Sequence, residues 1–144
     1  MKAKFKIFLT LLFFLPLYSC NNPTENTLNN SISGSYAYTG FDKTGKVIIK
    51  GYFNLNFKDK EYIYGEWHFY KVDDPKGIGP QYGDGEFQGR YSEGKLWIGL
   101  NPNFADHNVE LIGFINSDTF TGKWNYLTYV GITNYGTFKA VKIE

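Results

Sequence analysis

The chain has 144 residues, 42 % hydrophobic, 19 % aromatic and 20 % charged, with one cysteine and a formal net charge of +1. That length suits one domain, and the lack of a basic block argues against nucleic acid as a partner. A lone cysteine allows no internal disulfide and no thiolate cluster for structural zinc, so the core has to rest on packing.

Residues 1–6 (MKAKFK) carry three lysines and no acid, and residues 7–17 (IFLTLLFFLPL) form an apolar run of 11 residues. A membrane-spanning helix needs ~20 residues, whereas a basic start, a short apolar core and a small residue at the end make a secretory signal. The run closes on Leu17-Tyr18-Ser19-Cys20, with Leu three residues before the cysteine and a small Ser just before it. This stretch resembles the lipobox of bacterial lipoproteins. The resemblance implies cleavage before Cys20, a diacylglyceryl thioether on its thiol and an acylated amine. Two acyl signals together anchor stably. The competing reading is ordinary signal cleavage that leaves a free thiol. On the lipoprotein reading, residues 1–19 are the signal peptide, 20–31 a lipidated cysteine with a flexible tether, and 32–144 the folded domain. The protein is then expected in the bacterial cell envelope, on the outer membrane. Without residues 1–19 the chain keeps 12 basic and 14 acidic side chains, a net charge of −2.

Residues 21–31 (NNPTENTLNNS) are polar and lack an apolar period, as a tether does. From Ile32 onward the period is two. Val47, Ile49, Gly51, Phe53, Leu55 and Phe57 fall on one face, with Lys50, Asn54 and Asn56 on the other. Such alternation marks a strand with one buried face. The pattern predicts eight strands, over 32–41, 46–57, 62–71, 85–92, 95–101, 108–116, 119–129 and 133–143. Turn chemistry separates them at 42–45, 58–61, 92–95 and 117–118.

A Gly-x-aromatic step recurs at Gly34/Tyr36, Gly51/Phe53, Gly65/Trp67, Gly85/Phe87, Gly89/Tyr91, Gly122/Trp124 and Gly136/Phe138. At period two the glycine and its ring share a face, so each glycine leaves room for a ring from the next strand. Small and large residues alternating inside suit a small barrel. The fold expected is all-β: an eight-stranded antiparallel up-and-down barrel after a cleaved signal peptide and a flexible tether. The domain resembles the small eight-stranded barrels of the lipocalin and avidin type, where a Gly-x-Trp step is a signature. Here that step falls at Gly65/Trp67 and Gly122/Trp124, while the first strand has Gly34-Ser35-Tyr36. The resemblance implies architecture more than a ligand.

Strand parity puts the tight links 58–61, 92–95 and 117–118 at one end. The links 42–45, 72–84, 101–107 and 130–132 share the other. Long loops on a rigid scaffold carry binding residues. The tether enters at the tight-turn end, so the loop end is expected to point away from the membrane.

Candidate binding residues follow. Tyr62, Tyr64 and Tyr70 share the polar face of the third strand with His68, as an aromatic strip for a sugar or a protein. Trp67 and Trp124 are candidates for a cavity wall with Tyr36, Phe138 and Trp97, the last out of step with Leu96 and Ile98. Phe104 and His107 sit in the 101–107 loop. Two histidines without ligand spacing predict no metal site, and no nucleophile elbow or phosphate loop appears. No cofactor and no enzyme activity are expected. The domain reads as a non-catalytic interaction module for an envelope protein or a glycan, tethered to the membrane by lipid. The alternative is a small-molecule-binding barrel for an apolar ligand, and a hydrolase is a third, unsupported reading.

Overall fold

The structure, a computed structural model, describes residues 31–143. Cys20 and the expected signal peptide and tether up to residue 30 lie outside them. Eight strands follow in order: β1 Gly34–Phe41, β2 Val47–Phe57, β3 Tyr62–Lys71, β4 Gly83–Ser92, β5 Lys95–Gly99, β6 His107–Asn116, β7 Thr119–Thr128 and β8 Gly131–Lys142. Each pairs antiparallel with its chain neighbours, and β8 pairs back onto β1, closing an up-and-down barrel. The expected fold class is thus observed, and no strand end differs from expectation by more than two residues.

The alternation turns into two faces as expected. In β3, Ile63, Gly65, Trp67 and Phe69 are buried while Tyr62, Tyr64, Glu66, His68 and Tyr70 are exposed. The Gly-x-aromatic steps interlock across strands. Gly65 stands opposite Phe87 and Gly85 opposite Trp67 in the β3–β4 register. A Cβ on Gly85 would lie 2.6 Å from the Trp67 ring, and one on Gly65 2.6 Å from Phe87. Gly136 is likewise covered by Trp124, its register partner. The missing side chain of one strand is the space that the ring of its neighbour fills, which is how a narrow barrel reaches interior packing density.

Rings accordingly fill the interior. Tyr38 stacks on Phe69 at 4.3 Å and on Phe138 at 5.7 Å, and Tyr36 stacks on Phe53 at 5.2 Å. Phe120 meets Phe138 edge-on at 4.6 Å. Burial pushes the Tyr36 hydroxyl up to about 12, with help from Asp118, and pushes that of Tyr38 up further. A tyrosinate cannot be solvated there.

Both ends are covered. At the tight-turn end Ile32 is buried beneath β1, and Tyr36 donates from its hydroxyl to the Ile32 carbonyl at 2.5 Å. Asp59 closes the β2–β3 turn by accepting from the N–H groups of Glu61 and Tyr62, which holds its carboxyl below the usual range. At the other end the 72–82 loop folds over the mouth and buries Ile78 and Gln81. Asn134 of β8 fastens it by donating to the Gly77 carbonyl at 3.0 Å.

The wall is not uniform. β4 pairs with β3 from Gly83 to Arg90, yet with β5 only from Gln88 to Ser92. After Gly99 the chain leaves β4 and follows β6 alone, with the Leu100 N–H donating to the Val109 carbonyl at 2.9 Å. The expected strand over 95–101 ends early for this reason.

Candidate functional site

A broad concavity lies on the outer wall over β2, β3 and β4, toward the tight-turn end. It is a groove of about 1060 Å³. Strand register builds it. Asn54, Glu66 and Glu86 form one outward row, and Asn56, Tyr64 and Gln88 form the next. Lys58, Asp59 and Tyr62 close the lower rim. Ser35 donates from its hydroxyl to Asn54 Oδ1 at 2.7 Å, which presents the Asn54 N–H₂ outward. Arg90 donates to the Tyr62 hydroxyl at 2.8 Å and lies 4.6 Å from the centre of its ring. That pair fixes the Tyr62 plane instead of leaving it to rotate. Glu66 and Glu86 face each other directly across the strands, an arrangement that costs stability. The groove therefore offers the Tyr62 and Tyr64 rings, three side-chain amides and the Glu66 and Glu86 carboxylates on a rigid sheet, with Lys58 and the Asp59 carboxylate at its rim.

A second concavity of about 590 Å³ sits higher, where β4 and β5 part. Trp67 reaches it from inside, donating from Nε1 to the Leu100 carbonyl at 3.0 Å. Pro80, Tyr82, Asp84, Pro102, Asn103 and His107 surround it. Lys71 stands 4.0 Å above the Tyr82 ring. Glu86 borders both concavities, so they adjoin along β4.

The candidates thus fall into separate groups. Tyr62 and Tyr64 line the lower groove, and Trp67 and His107 the upper cleft. Tyr70 is exposed on the same face, opposite Lys50 in the register and beyond the groove. Phe104 is exposed in the 100–106 loop. Trp124 is fully buried and donates from Nε1 to the Phe41 carbonyl at 2.7 Å. Trp97 does not face the interior; it stands on the outer wall and donates to Glu110 at 3.0 Å. His107 Nδ1 lies 3.0 Å from the Tyr126 hydroxyl, so the contact of its ring nitrogen is a phenol.

His68 does contact a carboxylate, Asp84, across β3 and β4, with the Tyr52 ring stacked on it at 5.4 Å. Both members of the pair are exposed, and no hydroxyl bonds to the imidazole among the described residues. Among those residues no group of three or more His, Cys, Asp or Glu side chains is placed to hold a metal. Asn54, Asn56, Glu66, Glu86 and Gln88 were not singled out by sequence. Their signal was an outward face rich in amides and acids, and their grouping depended on register.

No protein-family model matches this chain, and no curated protein does. Two solved structures are similar to it. One is a de novo designed fluorescence-activating β-barrel, 10 % identical, with TM-score 0.48, covering 80 % of this chain and 96 % of its own. The other is a redesigned β-barrel, 13 % identical, with TM-score 0.46, covering 81 % of this chain and 95 % of its own.

Proposed function

We propose that this protein is a lipid-anchored, non-catalytic binding module of the bacterial envelope, and that its outer groove takes a glycan. The observation that carries the reading is the groove itself. Tyr62 and Tyr64 present ring faces beside Asn54, Asn56, Gln88, Glu66 and Glu86. Aromatic faces receive the C–H face of a sugar, while amides and carboxylates receive its hydroxyls. The interior rings are committed to one another, which favours the outside. The lipobox-like Leu17-Tyr18-Ser19-Cys20 supports the anchor, and the tight-turn end, where β1 begins, then lies nearest the membrane.

The test is the full chain titrated with peptidoglycan fragments, mannan, xylan and a β-glucan, beside Tyr62→Ala/Tyr64→Ala. One glycan binds the native chain, and the double variant loses at least tenfold in affinity at unchanged melting temperature. A native chain that binds none of them, or a variant that binds equally well, contradicts the reading. For the anchor, radiolabelled palmitate enters the native chain and not Cys20→Ser.

One observation favours a second reading, an apolar ligand inside the barrel. Gln81 is fully buried, its Oε1 is 3.4 Å from the Tyr38 hydroxyl, and its Nε2 has no partner among the described residues. A buried unpaired amide costs about 1–3 kcal/mol, which favours opening of the loop that holds it. Uptake of N-phenyl-1-naphthylamine that rises in Asn134→Ala supports this reading. Equal uptake by both proteins counts against it.

A further inference from the structure

Above the groove, and sharing Glu86 and Phe87 with its lining, the upper half of β4 presents an open sheet edge. Gly83 to Phe87 pair with β3 on one side. On the other side their pairing with β5 has not begun, and among the described residues no backbone hydrogen bond joins them to the 100–106 loop. Five residues at ~3.4 Å each leave roughly 17 Å of edge, enough for a short added strand. The space beside this edge is the upper cleft of about 590 Å³. Closed barrels otherwise abolish edges, and exposed edges are usually covered or blunted.

From these facts we infer that the upper edge of β4 is a docking site for an extended segment of a partner protein, in which basic and apolar residues alternate. The alternation follows from the two faces of the strand. Asp84 and Glu86 point outward and are exposed, so residues of an added strand beside them gain from positive charge. The inward position Gly85 lies against the Trp67 ring, which with Leu100 lines the cleft from inside, and Phe87 is buried two residues further along. Incoming residues on that side meet apolar surface. Backbone hydrogen bonds supply affinity, and the alternate side chains supply choice. The same carboxylates work against a second copy of this chain, because two such edges in contact would set acid against acid. The site shares Glu86 with the groove but does not rest on the glycan reading, because it is argued from the unpaired backbone of β4.

The test is amide hydrogen exchange of the full chain with two capped hexapeptides, alternating Lys-Val and alternating Glu-Val. The Lys-Val peptide slows exchange at residues 83–87 at least tenfold, and the Glu-Val peptide does not. The variant Asp84→Lys/Glu86→Lys reverses that preference. Absence of slowing with the Lys-Val peptide, equal slowing by both peptides, or protection that grows with protein concentration alone and so marks self-pairing, each overturns the inference.

Discussion

The two sides of this barrel are built to different standards of closure. β6, β7 and β8 pair over ten registered positions at each seam, whereas β4 and β5 pair over five. Each side holds one Gly-x-Trp step, and the fates of the two indoles show the difference. Trp124 hydrogen-bonds to Phe41 where a strand ends and is fully buried. Trp67 reaches across a missing stretch of wall to a loop carbonyl and is 5 % exposed. Continuous pairing gives the fold its stability, and interrupted pairing leaves backbone, aromatic and acidic groups available at the surface.

The largest expected effect contrasts those tryptophans. Trp124→Ala removes a fully buried indole from the closed wall and costs about 3–5 kcal/mol by chemical denaturation. Trp67→Ala costs less, because water enters the gap it leaves, and it also speeds amide exchange in the 100–106 loop. Equal costs with no change in exchange there would erase the contrast.

Glycine substitutions sharpen it next. A Cβ at Gly136 would lie 2.0 Å from the Phe41 carbonyl, fixed backbone of the closed wall. Gly136→Ala is expected to destabilise by about 1–3 kcal/mol. Gly85→Ala meets the side chain of Trp67 at the open wall and costs less, a ranking that parallel thermal melts can check.

The interior also sets an alkaline limit. The folded state raises Tyr36 to about 12 and Tyr38 further, and in both cases favours the protonated phenol. This stability is fully present below the unfolded value near ~10 and is lost as pH climbs through the folded values. Circular dichroism against pH is expected to show the barrel intact at pH 9 and weakening above 10. An unfolding midpoint that stays flat to pH 12 would mean the phenols are less buried than the packing shows.

Much of this arrangement was legible in the sequence, and the limit is register. Alternation through 46–57 and the repeated Gly-x-aromatic step are local signals, so strand number, burial faces and barrel closure could be read directly. Parity then placed the long loops at one end. Period two also placed Tyr62, Tyr64 and Tyr70 outward. The row Asn54–Glu66–Glu86 spans three strands and exists only once their offsets are known. Likewise, nothing local distinguished Trp67 from Trp124, since each follows Gly by two. The 72–84 link reads as a binding loop because it is long and sits on a rigid scaffold. Its burial of Ile78 and Gln81 depends on the latch from Asn134, more than fifty residues away.

The smallest expected effect on stability belongs to the surface. Tyr62→Ala with Tyr64→Ala changes unfolding free energy by about 1 kcal/mol or less, as exposed substitutions do. A much larger loss would turn the groove into a structural feature of the wall.

The most direct test of the central claim is a chemical-shift map of the full chain in detergent, titrated with the tightest-binding glycan of the panel. The account predicts shifts concentrated at Asn54, Asn56, Tyr62, Tyr64, Glu66, Glu86 and Gln88, with the core amides of β7 and β8 unmoved. Shifts centred on Tyr38, Phe69 and Phe138 would instead place the ligand inside the barrel and contradict it.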